Sequence, residues 1–283
     1  MDLCKDICVF LSENGLSYTV ENHDGHEIIY SGESPAIVPI CIFASSQEKA
    51  KKNAESLQTL IEGIHENEGK YPLIITEDRW LSQARMMRSR LLAHLHVFTQ
   101  IYARNCEIRK IDKATAARFL SENHSYGDAS CRYRYGLFLK RYTGHTKDID
   151  DIRPEAGSLV AVATFSNARK WTKGDKIIRS YEWTRYATLP ELRLSGGMGR
   201  LLKTFIEEVK PDDIMTYADL EWSEGTVYQT LGFELEGRKD AVMFSMNLDS
   251  WQRTAIKEQT SCADAYFQNF GSNKYRLKLT DYQ

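Results

Sequence analysis

Five residues in the second half of the chain, Ser195-Gly196-Gly197-Met198-Gly199, leave few options for the backbone around them. Each glycine inside a regular helix or strand costs roughly 0.5–1 kcal/mol relative to alanine, so three this close together mark a turn. Before the turn, Tyr181 to Ala187 alternates aromatic and polar residues as a strand does. After it, Met198 to Val209 carries apolar residues at helical spacing. The break Val209-Lys210-Pro211-Asp212-Asp213 separates that helix from a second strand, Ile214 to Ala218. A short helix, Glu224 to Thr230, follows and is stopped by Gly232, with Tyr228 projecting back toward the turn. This is the layout of an anion site. Backbone N–H groups at a helix N-terminus carry partial positive charge, and glycine lets a phosphate approach without meeting a Cβ. Ser195, Gly196, Gly197, Met198, Gly199 and Arg200 are therefore the candidate binding residues, with Gly197 and Gly199 expected in a phosphate-sized nest.

Strand, glycine turn, helix, strand and a final helix carrying Tyr228-x-x-Leu231-Gly232-Phe233 resembles the acyl-CoA-binding core of GCN5-related N-acetyltransferases. Ser195-Gly196-Gly197 followed by Tyr217-Ala218-Asp219-x-x-Trp222-Ser223-x-Gly225-x-x-Tyr228 is similar to a phage-associated subgroup that includes Mom-type DNA-modification proteins. The similarity extends back to Tyr102-Ala103-Arg104-Asn105-Cys106 and His124, and forward to Gly271-Ser272-Asn273-Lys274-Tyr275. The resemblance implies an α/β fold whose mixed twisted sheet has helices on both faces. It also implies acetyl-CoA or another acyl-CoA as cosubstrate, Tyr228 as the group that protonates the departing thiolate, and an amine acceptor. The Mom-like likeness places that amine on a nucleobase, so the implied partners are a small-molecule acyl donor and DNA.

Three side chains are the candidate catalytic groups. Tyr228 can donate one proton to a leaving sulfur. Asp219 ends a strand beside the glycine turn, where open α/β sheets bind ligands, and can hold a substrate amine or take its proton; the bland alternative is an N-cap for the next helix. His124 follows a helix in a loop with Gly127, and its ordinary pKa of about 6.5 makes it an available base. All three are expected to converge on one cleft. Trp171, Trp183 and Trp222 suit stacking on a planar substrate as well as they suit a core.

The first hundred residues form a separate pattern, which divides the chain into a small α/β domain at 1–100 and a larger one at 101–283. Helix Asp2 to Asn14, strands Ser17 to Glu21, Glu27 to Ser31 and Ala36 to Phe43, helix Gln47 to Glu66, strand Leu73 to Thr76 and a long helix Leu81 to Ile101 alternate as in one covered sheet. Their order is similar to the Vsr-like nuclease domain of related phage proteins. A metal-dependent nuclease needs clustered carboxylates. The strand Ile37-Val38-Pro39-Ile40-Cys41-Ile42-Phe43 has none, and Glu33, Glu77 and Asp78 fit capping or surface positions, so this half reads as a degenerate nuclease. After Phe233, Ala241 to Leu248 is expected as a strand beside Ile214.

No metal site is expected: Cys4, Cys8, Cys41, Cys106, Cys131 and Cys262 are scattered, without the pairing that zinc requires. No apolar run approaches the roughly 20 residues that span a bilayer, and Met1-Asp2-Leu3-Cys4-Lys5 is not a signal-peptide start; a cytoplasmic protein without membrane partners is expected. A net charge of −2 argues against a uniformly basic surface but leaves room for a local basic groove. The competing reading is a non-catalytic nucleic-acid-binding protein of phage origin that retains both folds without their chemistry.

Overall fold

The computed structural model describes residues 2–23, 25–41, 44–142, 145–146, 153–256 and 263–281. Cys262 and eight of the seventeen residues in the polar stretch from Arg141 to Gly157 lie outside the described residues. The chain is α/β and divides into two units, the first formed by Met1–Leu95, Ala218–Glu224 and Arg238–Asn273, the second by His96–Tyr217, Gly225–Gly237 and Lys274–Gln283. The chain leaves the first unit after Leu95 and returns to it twice.

In the first unit, helix α1 (Leu3–Glu13) starts at Asp2, whose side chain accepts the Lys5 N–H. Strands β1 (Thr19–His23), β2 (His26–Tyr30), β3 (Ile37–Ile40) and β4 (Leu73–Thr76) form one sheet in that order, with β3 and β4 parallel. Helix α2 (Gln47–Glu68) connects β3 to β4, capped by Ser46 and ended by Gly69 in the left-handed region at φ 66°. Helices α3 (Glu77–Ser82) and α4 (Ala84–His94) follow. Consecutive apolar residues in these strands are buried on opposite faces, as continuous runs in a two-sided sheet must be. Ile29, Ile37, Leu73 and Ile75 pack with Leu3, Ile7, Leu11, Trp80, Met87 and Leu91. Ile28, Val38 and Ile74 pack on the other side with Leu57, Ile61, Ile64, Phe244 and Phe267.

Two expectations for this half are corrected. The single helix Leu81 to Ile101 is three elements, because Gln83 leaves helical geometry and His96 takes φ 62°, after which β5 (Thr99–Tyr102) begins. Glu77 and Asp78 are not at the surface: they are 0% and 2% exposed. The thiols of Cys4 and Cys8 are buried, and burial raises the Cys4 pKa to about 12.

In the second unit β5 is followed by β6 (Cys106–Lys110), α5 (Lys113–Asn123), β7 (Tyr133–Leu139), β8 (His145–Thr146), β9 (Leu159–Phe165), β10 (Arg169–Lys173) and β11 (Lys176–Thr188). Then come β12 (Leu192–Ser195), α6 (Gly197–Val209), β13 (Asp213–Asp219), α7 (Thr226–Thr230) and β14 (Glu234–Lys239). The first unit takes up the chain again with β15 (Met243–Asn247), β16 (Gln252–Ala255) and β17 (Ala265–Gln268), and β18 (Ser272–Lys278) follows. The main sheet runs β14-β18-β13-β11-β9-β7-β6, with β10 paired to β11, and it is mixed because β11 and β13 are parallel while β11, β9, β7 and β6 alternate. Helices cover both faces, as expected. Ala116, Phe119 and Leu120 of α5 pack on Val162 and Ala187. Phe205 of α6 stacks on Phe165 across the sheet's other face at 3.9 Å between centroids, edged by Tyr133 and Tyr181.

The strand expected beside Ile214 is a different one. β15 pairs with β16 and β17 in a small sheet of the first unit, and β18 is the neighbour of β13.

Candidate functional site

β11 keeps one register with β13 for three pairs and then changes. It pairs in parallel with β13 at Ser180↔Asp213, Tyr181↔Ile214 and Glu182↔Met215, and the register ends there although both strands continue. At the same point its antiparallel register with β9 slips between Trp183 and Arg185, leaving Thr184 as an extra residue. An extra residue breaks the alternation of faces and bends the strand. Trp183 opposes Phe165 and Tyr186 opposes Ala163, so both side chains lie on the α6 face, where unbroken alternation puts only one of them. The bulge is held by a Thr164–Thr184 hydroxyl pair at 2.7 Å and by the Trp183 indole N–H, which donates to Arg185 O at 3.1 Å.

The glycine turn follows from β12, which is parallel to β5 from Leu192↔Thr99 to Ser195↔Tyr102. Gln100 Nε2 donates to Ser195 Oγ at 3.0 Å and fixes the entry. Gly196 is exposed and left-handed at φ 76°, and Gly197 is the first residue of α6. The first-turn N–H groups of a helix have no partner within it, so the turn offers amide donors and the positive end of a three-turn dipole. That donor set fits a phosphate or pyrophosphate. Gly197 serves a different purpose from the one expected. A Cβ there lies 2.7 Å from Leu194 Cδ2 and 2.8 Å from the Tyr186 hydroxyl, so its hydrogen makes room for the side chains beneath the turn, and the conformational freedom is used at Gly196. Gly197→Val is therefore expected to destabilise the fold by about 1–3 kcal/mol through overpacking, read as a lowered midpoint of thermal unfolding. Arg200, expected to face a phosphate, donates instead to the carbonyls of Ala103 and Cys106 and anchors the corner between β5 and β6.

Tyr228 lies on the same face. Its ring meets Trp183 edge-on at 6.0 Å and Tyr275 at 5.6 Å. Burial raises its pKa above the ordinary 10, against a hydrogen bond with the Thr216 hydroxyl that acts in the other direction. Thr216 also donates to Trp183 O at 3.1 Å, across the place where β11 and β13 cease to pair. Tyr186 is near enough to Tyr228 for their charges to interact, and desolvation pushes its phenol well above the usual range. A Cβ on Gly199 lies 3.4 Å from Leu231, the residue three after Tyr228. The turn, Tyr186 and Tyr228 are thus brought together in the second unit.

The other two candidates are placed differently. Asp219 belongs to the first unit, where its carboxylate accepts the Glu221 N–H at 3.0 Å and faces Arg79 at 3.5 Å. His124 ends α5, and its Nδ1 accepts the Tyr126 N–H at 3.1 Å. The neutral ring then carries its proton on Nε2, so it acts as a donor until that contact opens. Arg185 ties the same loop to β11 by donating to Gly127 O at 3.1 Å, and Arg185 opposes Thr164, on the face turned away from Trp183 and Tyr186. Trp183 is buried, while Trp171 is 36% exposed. Trp222 is stacked under Arg90 in the first unit, with 4.1 Å between guanidinium carbon and ring centroid. Tyr186 and Thr216 are the residues a reading of the sequence misses, since their positions depend on the bulge and on the parting of two strands. Among the described residues no group of three or more His, Cys, Asp or Glu can hold a metal ion. No described helix is long and apolar enough to cross a membrane.

No family model matches the chain, and no curated protein sequence matches it. Solved structures give a distant likeness in shape. The NatC complex bound to Gag peptide and CoA is 12% identical, with a TM-score of 0.36, over 62% of this chain and 99% of that one. An acetyltransferase of Bacillus subtilis in complex with CoA is 14% identical with a TM-score of 0.32, covering 62% of this chain and 99% of its own. The ribosomal-protein-S18-alanine N-acetyltransferase of Escherichia coli is 14% identical with a TM-score of 0.35, covering 63% and 96%.

Proposed function

We propose that the second unit is an acyl-CoA-dependent N-acyltransferase, with the parting of β11 from β13 beside the glycine turn as the observation that carries the reading. Two parallel strands that stop pairing leave backbone groups and a gap at the carboxyl end of the sheet, the end at which open α/β sheets take ligands. The turn at Gly196–Gly199 opens beside it, and Tyr228 lies across from Trp183. In this reading the amides of Gly197, Met198 and Gly199 hold the donor's pyrophosphate. Bound acyl-CoA supplies a thioester carbonyl open to attack by an amine. The nitrogen–carbon bond forms, the carbon–sulfur bond breaks, Tyr228 gives its proton to the departing sulfur, and the amine's proton passes to a base. His124 is assigned no step, because Arg185 ties its loop on the face turned away from Trp183 and its Nδ1 accepts the Tyr126 N–H. Asp219, engaged by Arg79, is assigned no step. The acceptor we propose is an exocyclic amine of a nucleobase, the finer form suggested by the Mom-like motif.

Ligand-dependent stabilisation tests the donor site. Acetyl-CoA at a hundredfold excess over its dissociation constant adds about 2.7 kcal/mol to the stability of the state that binds it. A raised unfolding midpoint with acetyl-CoA or CoA, lost in Gly196→Val, is the expected result, because valine resists the left-handed conformation Gly196 adopts. No shift with either ligand in the unaltered protein overturns the proposal.

A further inference from the structure

We infer that the β10–β11 ribbon is a docking surface for single-stranded nucleic acid. The two strands pair antiparallel from Arg169↔Ser180 to Lys173↔Lys176, and all five residues of β10 are exposed. From Arg169 to Arg179 the chain holds five basic residues and one acid, Asp175, in a protein whose net charge is −2. Arg179 is engaged with Asp212 at 3.4 Å, which leaves Arg169, Lys170, Lys173 and Lys176 to set the charge of the ribbon. Lys176 donates to Asp281 O at 3.1 Å, a neutral carbonyl that leaves its charge in place.

Charge alone does not single out this ribbon, since lysines on an edge strand also serve to keep other strands from adding to it. The apolar residues do. Trp171 is 36% exposed on a segment that solvation alone would leave polar, and Ile177, 65% exposed, is on the other face of the ribbon with Thr172. Alternation puts Arg169, Trp171 and Lys173 on one face, with Lys176 paired across from Lys173. An exposed indole between cations matches the two parts of a single strand: phosphates that release counterions to lysine and arginine, and bases whose faces stack on an aromatic ring. In a duplex those faces are covered. The inference stands on residues separate from the glycine turn and Tyr228, and it holds whether or not the protein transfers an acyl group.

Anisotropy of a labelled oligothymidylate, titrated with protein across a range of sodium chloride concentrations, tests it. Binding that weakens with salt is expected, with Arg169→Glu/Lys173→Glu lowering the log–log slope by roughly 1.4, about 0.7 per lost phosphate contact on a single strand. Trp171→Ala is expected to weaken binding by roughly tenfold or more at constant slope, since it removes stacking and no charge. These side chains are exposed, so unchanged thermal unfolding of both variants, and unchanged acetyl-CoA stabilisation if the unaltered protein shows any, confirms that the effect is local. Equal affinity of the variants and the unaltered protein overturns the inference and leaves the lysines as guards of an open edge. Tighter binding to the matching duplex overturns the single-strand assignment. Binding to vesicles containing phosphatidylserine but not to the oligonucleotide overturns it in favour of a lipid surface.

Discussion

Arg253→Ala is expected to destabilise the first unit by about 3–5 kcal/mol, the cost of leaving buried charges without their partner. The Arg253 side chain is 8% exposed, and every one of its five N–H groups has an acceptor. Nε and one terminal nitrogen hold Asp78 at 2.5 and 2.9 Å, that nitrogen also reaches Thr76 Oγ1 at 2.9 Å, and the other terminal nitrogen spans both Glu221 oxygens at 2.8 and 2.9 Å. Phe267 lies under the guanidinium at 4.2 Å. Asp78, Glu221 and Arg253 come from the three separate stretches of chain that make up the unit, so this group fastens the returning segments to the first ninety-five residues. Arg79 adds a second contact to Glu221 at 3.4 Å.

The pH dependence distinguishes this account from a simple packing defect. Burial acts to raise the Asp78 pKa, and the hydrogen bonds and charge of Arg253 outweigh it, so the carboxyl is held below its ordinary 3.8. A depressed folded-state pKa contributes stability that is present above the unfolded value and lost as pH falls through the folded one. The unaltered protein should therefore weaken below about pH 4. In Arg253→Ala the sign reverses: only the Thr76 hydroxyl and the Arg79 charge still oppose the burial of Asp78, protonation relieves it, and the deficit should shrink on acidification from pH 7 to 5. Urea unfolding at the two pH values measures both. A deficit that stays the same, or a loss below 1 kcal/mol, is incompatible with a buried ionic clasp. Arg253→Lys should recover only part of the loss, because three donors on one nitrogen cannot span two carboxylates.

Much of the second unit was legible because its signals are local. Glycines at 196, 197 and 199, the apolar stripe of α6 and the stop at Pro211 together specify a turn and a helix within one window. What the sequence does not carry is the choice among distant partners. Residues 241–248 and 272–278 both alternate like strands, and only pairing decides that β18 lies beside β13. The extra residue at Thr184 is equally silent, since Tyr181, Trp183, Arg185 and Ala187 look like unbroken alternation; the slip arises from register against β9 and turns Tyr186 toward the glycines. Acids at Glu77 and Asp78 look like surface residues because charged side chains are seldom buried unpaired. The partner of Asp78 is 175 positions away.

Tyr228→Phe should lower kcat by about a hundredfold to ten-thousandfold if Tyr228 is the acid, the usual contribution of a positioned proton donor. The substitution removes one oxygen. Ring contacts to Trp183, Phe233 and Tyr275 are those of phenylalanine as well, so the fold and the stabilisation by acetyl-CoA should persist. Thiol release from acetyl-CoA, followed with a diamine, a peptide amine, and adenine and cytosine nucleosides, gives both the rate and the acceptor class. Because burial raises its pKa above 10, Tyr228 stays protonated throughout the neutral range and can donate at every turnover. Its alkaline limb should then fall above pH 10, lost as the phenol ionises, and should vanish in the phenylalanine variant. Thr216→Val probes the same proton from the other side: it removes the hydroxyl that meets Tyr228 and Trp183 O, and should shift that limb while leaving the KM for acetyl-CoA nearly unchanged. A Tyr228→Phe enzyme that releases thiol as fast as the unaltered protein would remove the acid from the mechanism. Retained acetyl-CoA stabilisation in that case would leave the glycine turn as a donor site whose leaving thiolate is protonated by solvent.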